Sequence, residues 1–177
     1  MEMIKVRGRG ANLLGAVVFA AVAVWLRSAQ GQTQPSVPEN LKAPAGEQLR
    51  VRAHASGQQI YICDGSKWTL SGPDAKLFDD DGRVLGSHFV GPTWQWSDGS
   101  QVTGRPIASA TPDPASIPWL LLTATGHTGD GAMKNIASIQ RLRTKGGKAP
   151  SSGCGVSHKG EKVSIDYTAD YYFYLRR

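Results

Sequence analysis

Apolar and polar residues alternate one for one over the last stretch of the chain. Val163, Ile165, Tyr167, Ala169, Tyr171, Phe173 and Leu175 fall on one side of an extended backbone, and Ser164, Asp166, Thr168, Asp170, Tyr172 and Tyr174 on the other. A period of two predicts a strand whose first set faces a core. Its length exceeds that of an ordinary strand and calls for a bulge or bend. The same period recurs upstream in shorter pieces. Leu49, Val51 and Ala53 alternate with Arg50, Arg52 and His54, and residues 59–63 are rich in β-formers, so Ser56-Gly57 between them reads as the turn of a hairpin. Short strands follow at residues 68–70, 76–78, 84–89 and 94–96, around Val102 and at 119–123, separated by Asp64-Gly65-Ser66, Asp79-Asp80-Asp81-Gly82 and Asp98-Gly99-Ser100 turns.

Three stretches break this grammar. Residues 32–47 hold Pro35, Pro38 and Pro44 and read as an extended lead-in, since the prolines oppose helix. Residues 104–118 hold Pro106, Pro112, Pro114 and Pro118 and read as a long irregular loop. Met133, Ile136, Ile139 and Leu142 recur every third residue and fit a helix or an irregular strand, with extended structure slightly favoured. Many short strands, 21 glycines and 10 prolines predict an all-β chain, a single-domain β-sandwich or barrel of antiparallel strands over residues 48–177.

The first residues change the picture by naming a compartment. Lys5, Arg7 and Arg9 precede an uncharged apolar run over residues 13–26, and Ser28-Ala29-Gln30-Gly31 follows, which is the order of a secretory signal peptide and its cleavage site. The apolar run is short for a bilayer span of roughly 20 residues. The expectation is therefore removal of residues 1–31, a mature chain that starts near Gln32 without a transmembrane segment, and export to the periplasm or the medium. The formal charge of +6 owes much to this leader. The remaining basic residues are scattered except for Arg141, Arg143, Lys145, Lys148 and the terminal Arg176 and Arg177, so no polybasic block points to nucleic acid. Cys63 and Cys154 both lie in the exported part, where an oxidising compartment favours a disulfide; they lack the close Cys-x-x-Cys spacing of a redox pair.

Taken in order, Gln59-Ile60-Tyr61-Ile62-Cys63, Gly91-Pro92-Thr93-Trp94, Asp98-Gly99-Ser100, Pro118-Trp119-Leu120-Leu121, Thr144-Lys145-Gly146-Gly147-Lys148-Ala149-Pro150 and Tyr167-Thr168-Ala169-Asp170-Tyr171-Tyr172-Phe173-Tyr174 resemble a family of exported bacterial and fungal proteins of unknown function. The resemblance covers residues 35–174 and implies a secreted, disulfide-bearing domain with no established activity. Some fungal members carry a malate dehydrogenase label. This chain departs from such an enzyme, having no G-x-G-x-x-G after a strand and little helical periodicity.

Candidate chemistry concentrates in residues 86–100. Trp94 and Trp96 project from one face of a strand and, with Trp119, are candidates for a stacking platform against a sugar ring, although core packing explains large aromatics equally well. His88 and Asp98 flank them as a possible ligand-binding or base and carboxylate pair, and His88, His127 and Asp130 form the alternative of a metal site assembled from distant residues. Asp79-Asp80-Asp81-Gly82 lacks the twelve-residue calcium pattern and reads as a hairpin turn. No G-x-S-x-G or S-x-x-K motif supports a nucleophilic serine, and Asp98, Asp130, Glu161 and Asp170 leave a carboxylate pair open without selecting one. The expectation is a non-enzymatic domain that binds a small-molecule or polysaccharide ligand, of carbohydrate or cell-envelope origin, without a cofactor. The alternative is a secreted hydrolase or metal-dependent enzyme at His88, Asp98 and His127.

Overall fold

The computed structural model describes residues 1–3 and 35–176, so the leader's apolar run and cleavage site lie outside the described residues. The chain divides into two compact units, Met1–Gly31 and Gln32–Arg177. Eight strands make up the second: β1 Glu47–Cys63, β2 Trp68–Phe78, β3 Val84–Phe89, β4 Thr93–Trp96, β5 Gln101–Ala110, β6 Trp119–Thr128, β7 Ile136–Gly146 and β8 Lys162–Arg176. Each pairs with the next, and antiparallel pairing of β1 with β8 closes a barrel. The all-β expectation holds. No helix among the described residues is long and apolar enough to cross a membrane.

The predicted hairpin at Ser56-Gly57 is instead the middle of one long strand. Gly57 sits opposite Ala75 of β2, and a Cβ there would run into the Asp74 carbonyl oxygen and the Ala75 Cα. The missing side chain lets β1 and β2 approach closely at this pair, which is the work of a strand glycine where another backbone comes near. Residues 68–70 and 76–78 likewise merge into β2 across a bulge opposite Ile60/Tyr61. The proline-rich segment is shorter than its composition suggested, because β5 continues through Pro106 to Ala110. Pro106 is tolerated at a register shift of the β5–β6 ladder, and β4 pairs with β5 only at residues 101–103, so no ladder bond is lost on that side. Met133 closes a turn and Ile136 begins β7, which resolves that stretch as extended.

Side chains alternate across the wall. Ala53, Ala55, Ala75, Leu77, Trp94, Val102, Leu122, Ile139, Tyr167, Tyr171 and Phe173 fill the interior. The opposite face of β8 is also buried at Tyr172 and Tyr174, beneath the lead-in. Leu41, in a 3₁₀ turn over Glu39–Leu41, packs there with Leu121 and Leu142. Gln140 donates from Nε2 to the Leu41 carbonyl at 2.5 Å and accepts from Tyr174 Oη at 2.6 Å. This explains why tyrosines assigned by alternation to an outer face are buried: the lead-in supplies a second apolar layer.

Cys63, at the end of β1, is bonded to Cys154, 91 positions away. The bond anchors the 147–161 segment over the barrel end where β1 finishes, aided by Trp68 Nε1 donating to Ser152 O at 2.9 Å and Gly160 N to Cys63 O at 2.8 Å. In the chain-entropy picture a loop of this size stabilises the fold by about 4–5 kcal/mol. The double variant Cys63→Ala/Cys154→Ala is expected to lose about that much in denaturant unfolding; a loss below about 1 kcal/mol contradicts the anchoring role.

Candidate functional site

Beneath that segment the barrel interior turns polar. Alternation continues along β1 from Ala53 and Ala55 to Gln59 and Tyr61, and along β8 from Phe173 to Tyr171 and Tyr167. Gln59, Trp94, Tyr167 and Tyr171 are each at most 2% exposed, yet Gln59 Nε2, Trp94 Nε1 and the hydroxyls of Tyr167 and Tyr171 have no hydrogen-bond partner among the described residues. The Tyr167 hydroxyl faces Tyr171 and the Gln59 amide without bonding either. Gly147 closes this region: a Cβ at that position would lie 2.8 Å from Tyr167 Cβ and 3.1 Å from Gln59 Cγ. The carbonyl of Gly147 accepts from Tyr61 Oη at 2.6 Å.

A buried unpaired polar group costs about 1–3 kcal/mol. Four in neighbouring residues approach the whole stability of a domain, about 5–15 kcal/mol, so such a cluster is costly unless Gln59, Tyr167, Tyr171 and Arg141, which lie close to one another, tighten onto each other or a guest supplies partners. Trp94 connects to Tyr171 edge-on at 5.5 Å, and His88 stacks on Trp94 at 4.4 Å and meets Tyr171 edge-on at 5.1 Å. His88 donates from Nδ1 to the Thr93 carbonyl at 2.8 Å, which leaves Nε2 as an acceptor in the neutral ring. Burial, reinforced by the Arg141 charge, pushes the His88 imidazole down to about 3 despite the opposing Thr93 bond. Burial also pushes the phenols of Tyr61, Tyr167 and Tyr171 up, with Arg141 acting against it at each.

Arg141, two residues after Ile139 on β7 and opposite Tyr171 of β8, is half-exposed. Its Nε and Nη2 donate to the Pro118 carbonyl at 3.1 and 2.9 Å, and among the described residues no carboxylate pairs with it. Sequence reasoning did not single out Arg141, Gln59, Tyr61, Tyr167 and Tyr171, which make up this candidate site. The available signal was Gln59, a polar residue within a run of β-formers, and hydroxyl-bearing residues on the core face of β8.

The residues singled out in the sequence are dispersed. Trp94 is 1% exposed inside the barrel, and Trp96 packs against Phe173 at 5.9 Å. Trp119 belongs to the outer cluster under the lead-in. No three-tryptophan platform forms, because the two strands that carry these residues present them to opposite sides of the wall. His88, Asp98 and His127 do not hydrogen-bond one another. Asp98 Oδ1 accepts from Ser100 N and Oγ at 2.9 and 2.6 Å, and its Oδ2 accepts from Ala132 N at 2.8 Å; these bonds hold its carboxyl below the usual range, the Ser100 hydroxyl contributing most. Ser100 Oγ then accepts from Met133 N at 3.0 Å, so Asp98 staples two turns together. His127 donates from Nε2 to Ile136 O at 2.8 Å. Asp130 pairs with Lys134 at 2.5 Å. No group of His, Cys, Asp and Glu suited to a metal ion occurs among the described residues.

A second polar cluster lies on the outer face. His54 sits between Asp170, 2.6 Å from Nδ1, and Asp80, 2.9 Å from Nε2. Arg143, whose φ of 50° is the sole positive value at a non-glycine among the described residues, donates to Asp170 and Tyr172 Oη at 2.9 and 2.7 Å, and Arg52 pairs with Asp80. Every charge here has a partner within the fold. The network ties β1, β7, β8 and the β2–β3 turn together and calls for nothing further.

The geometry thus defines a closed up-and-down β-barrel with a donor-rich interior at one end. The chain belongs to the family described as Protein of unknown function (DUF3455), whose family model matches residues 44–175. No curated protein and no solved structure matches it.

Two measurements test these assignments. Trp94→Ala is expected to cost about 3–5 kcal/mol of stability as a core deletion; an unchanged unfolding midpoint contradicts burial. His88 stays neutral in the fold but gains a proton near pH 6.5 when unfolded, so its contribution is present above that pH and is lost as pH falls toward 3. Between pH 4.5 and 6 the slope of unfolding free energy against pH should therefore drop by about 1 kcal/mol per unit in His88→Phe, and an identical slope refutes the buried neutral ring.

Proposed function

We propose that the protein is exported and acts as a binding module whose small ligand sits inside the barrel, under the disulfide-anchored 147–161 segment. The observation that carries this is the set of unpartnered buried donors at Gln59, Trp94, Tyr167 and Tyr171. Small eight-stranded barrels either fill their interior with side chains or hold one small ligand, and a polar patch without internal partners favours the second arrangement. The ligand then lies in the interior and not on a tryptophan platform, which favours a small molecule over a polysaccharide chain. Export rests on the order of basic, apolar and small residues in the leader, together with the Cys63–Cys154 bond, which an oxidising compartment sustains. Binding is preferred to catalysis because His88, held near 3, is a weak base at neutral pH, and Asp98 is consumed by turn bonds.

The test is native mass spectrometry of protein purified from its own source without denaturation, with N-terminal sequencing of the same material. A small-molecule mass increment that disappears on unfolding, on a chain starting near Gln32, is the expected result. Native and denatured masses that agree overturn the binding reading, and an intact Met1 overturns the export reading.

A further inference from the structure

Resting on the interior-binding reading above, we infer that the group held in the barrel is an oxyanion, the carboxylate of a compact molecule, and that Arg141 is its charge anchor. The unpartnered atoms are all donors. The Gln59 Nε2 and Trp94 Nε1 groups can only donate, and the Tyr167 and Tyr171 hydroxyls can donate. A neutral polyol can pair with the two hydroxyls, which accept as well as donate, but brings no charge to the Gln59 and Trp94 N–H donors. A carboxylate presents acceptor positions alone, and bonds to an ionised acceptor are about twice as strong as neutral ones.

Charge points the same way. Arg141 is permanently cationic, it sits opposite Tyr171 in the β7–β8 register, and it stands close enough to Tyr171 to interact with that hydroxyl. Its bonds to the Pro118 carbonyl engage Nε and Nη2; Nη1 takes part in neither. The nearest ionisable groups that register its charge, Tyr61, His88, Tyr167 and Tyr171, carry no negative charge at neutral pH. The carboxylates of Asp170 and Asp80 are committed to Arg143, Arg52 and His54 on the outer face. A half-exposed cation beside a buried, donor-rich region, with no carboxylate paired to it among the described residues, is complemented by one negative charge. One cation fits a monoanion; a phosphate dianion would bring a second, uncompensated charge into a buried site. Gly147 sets the size, since its backbone lies so close to Tyr167 and Gln59 that even a methyl group would crowd them.

The experiment is a titration of the folded mature chain, monitored by the indole ¹⁵N–¹H resonance of Trp94 and by the melting temperature. Probes are acetate, its neutral isostere acetamide, glycerol and inorganic phosphate, each against sodium chloride of equal ionic strength. Acetate is expected to shift the Trp94 resonance saturably and raise the Tm, with acetamide, glycerol and phosphate at least 10-fold weaker. Arg141→Gln should weaken acetate at least 10-fold, with Arg141→Lys recovering part of the loss. Should Arg141→Gln not fold, Tyr171→Phe provides the second reading, a several-fold weaker acetate response. Acetamide or glycerol binding as tightly as acetate, or acetate binding unchanged in Arg141→Gln, overturns the anion assignment while leaving interior binding intact. A Trp94 resonance that no probe moves overturns the anion assignment, and the native mass comparison then decides separately whether the interior binds anything.

Discussion

The β1–β8 ladder is the constraint on which everything else depends. It runs from Glu47 opposite Arg176 to Ile62 opposite Lys162, joining the two ends of the folded domain and converting an open sheet with two exposed edges into a wall without any. Closure creates the inside. Ala53, Ala55 and Ala169 are small where these strands run side by side, and Tyr171, Phe173 and Trp94 fill the space they leave. Gly57 lets β1 lie close against β2 while it pairs with Tyr167 of β8 on its other side.

Closure also sorts the polar groups. Outside, Asp80, Asp170, His54, Arg52 and Arg143 satisfy one another, so the network stitches strands at little cost. Inside, the Gln59, Trp94, Tyr167 and Tyr171 donors remain open among the described residues, near an Arg141 that no carboxylate pairs there. A fold optimised for stability alone would place apolar residues at such positions. The contrast between a satisfied exterior and an unsatisfied interior is what points the proposed site to the barrel's end, and the disulfide ties down the segment over it.

Much of the architecture was legible in the sequence. Strict alternation marked β8 from end to end, and the Asp-Gly turns at Asp79-Asp80-Asp81-Gly82 and Asp98-Gly99-Ser100 separate strands as their chemistry requires. Gly57 misled because a glycine that permits close backbone approach looks locally like one that turns the chain. Pro106 misled because ladder pairing, absent on one side of β5, decides whether a proline is tolerated. The site was harder to see. The indoles of Trp94 and Trp119 differ in nothing local, and which side of a closed wall each faces is set by register. Arg141 lies in a basic stretch, and its isolation from carboxylates is a property of three dimensions. His88 and Asp98, close in sequence, bond to different backbone segments, His88 donating to the Thr93 carbonyl and Asp98 accepting from Ala132 N.

The central claim is that the barrel encloses donors satisfied by a guest. A crystal structure near 1 Å resolution, from protein purified natively, tests it most directly. The account predicts density for a non-protein, non-water group accepting hydrogen bonds from the side chains of Tyr167, Tyr171 or Gln59. An interior in which ordered waters alone, or the chain's own atoms, satisfy all four donors contradicts it.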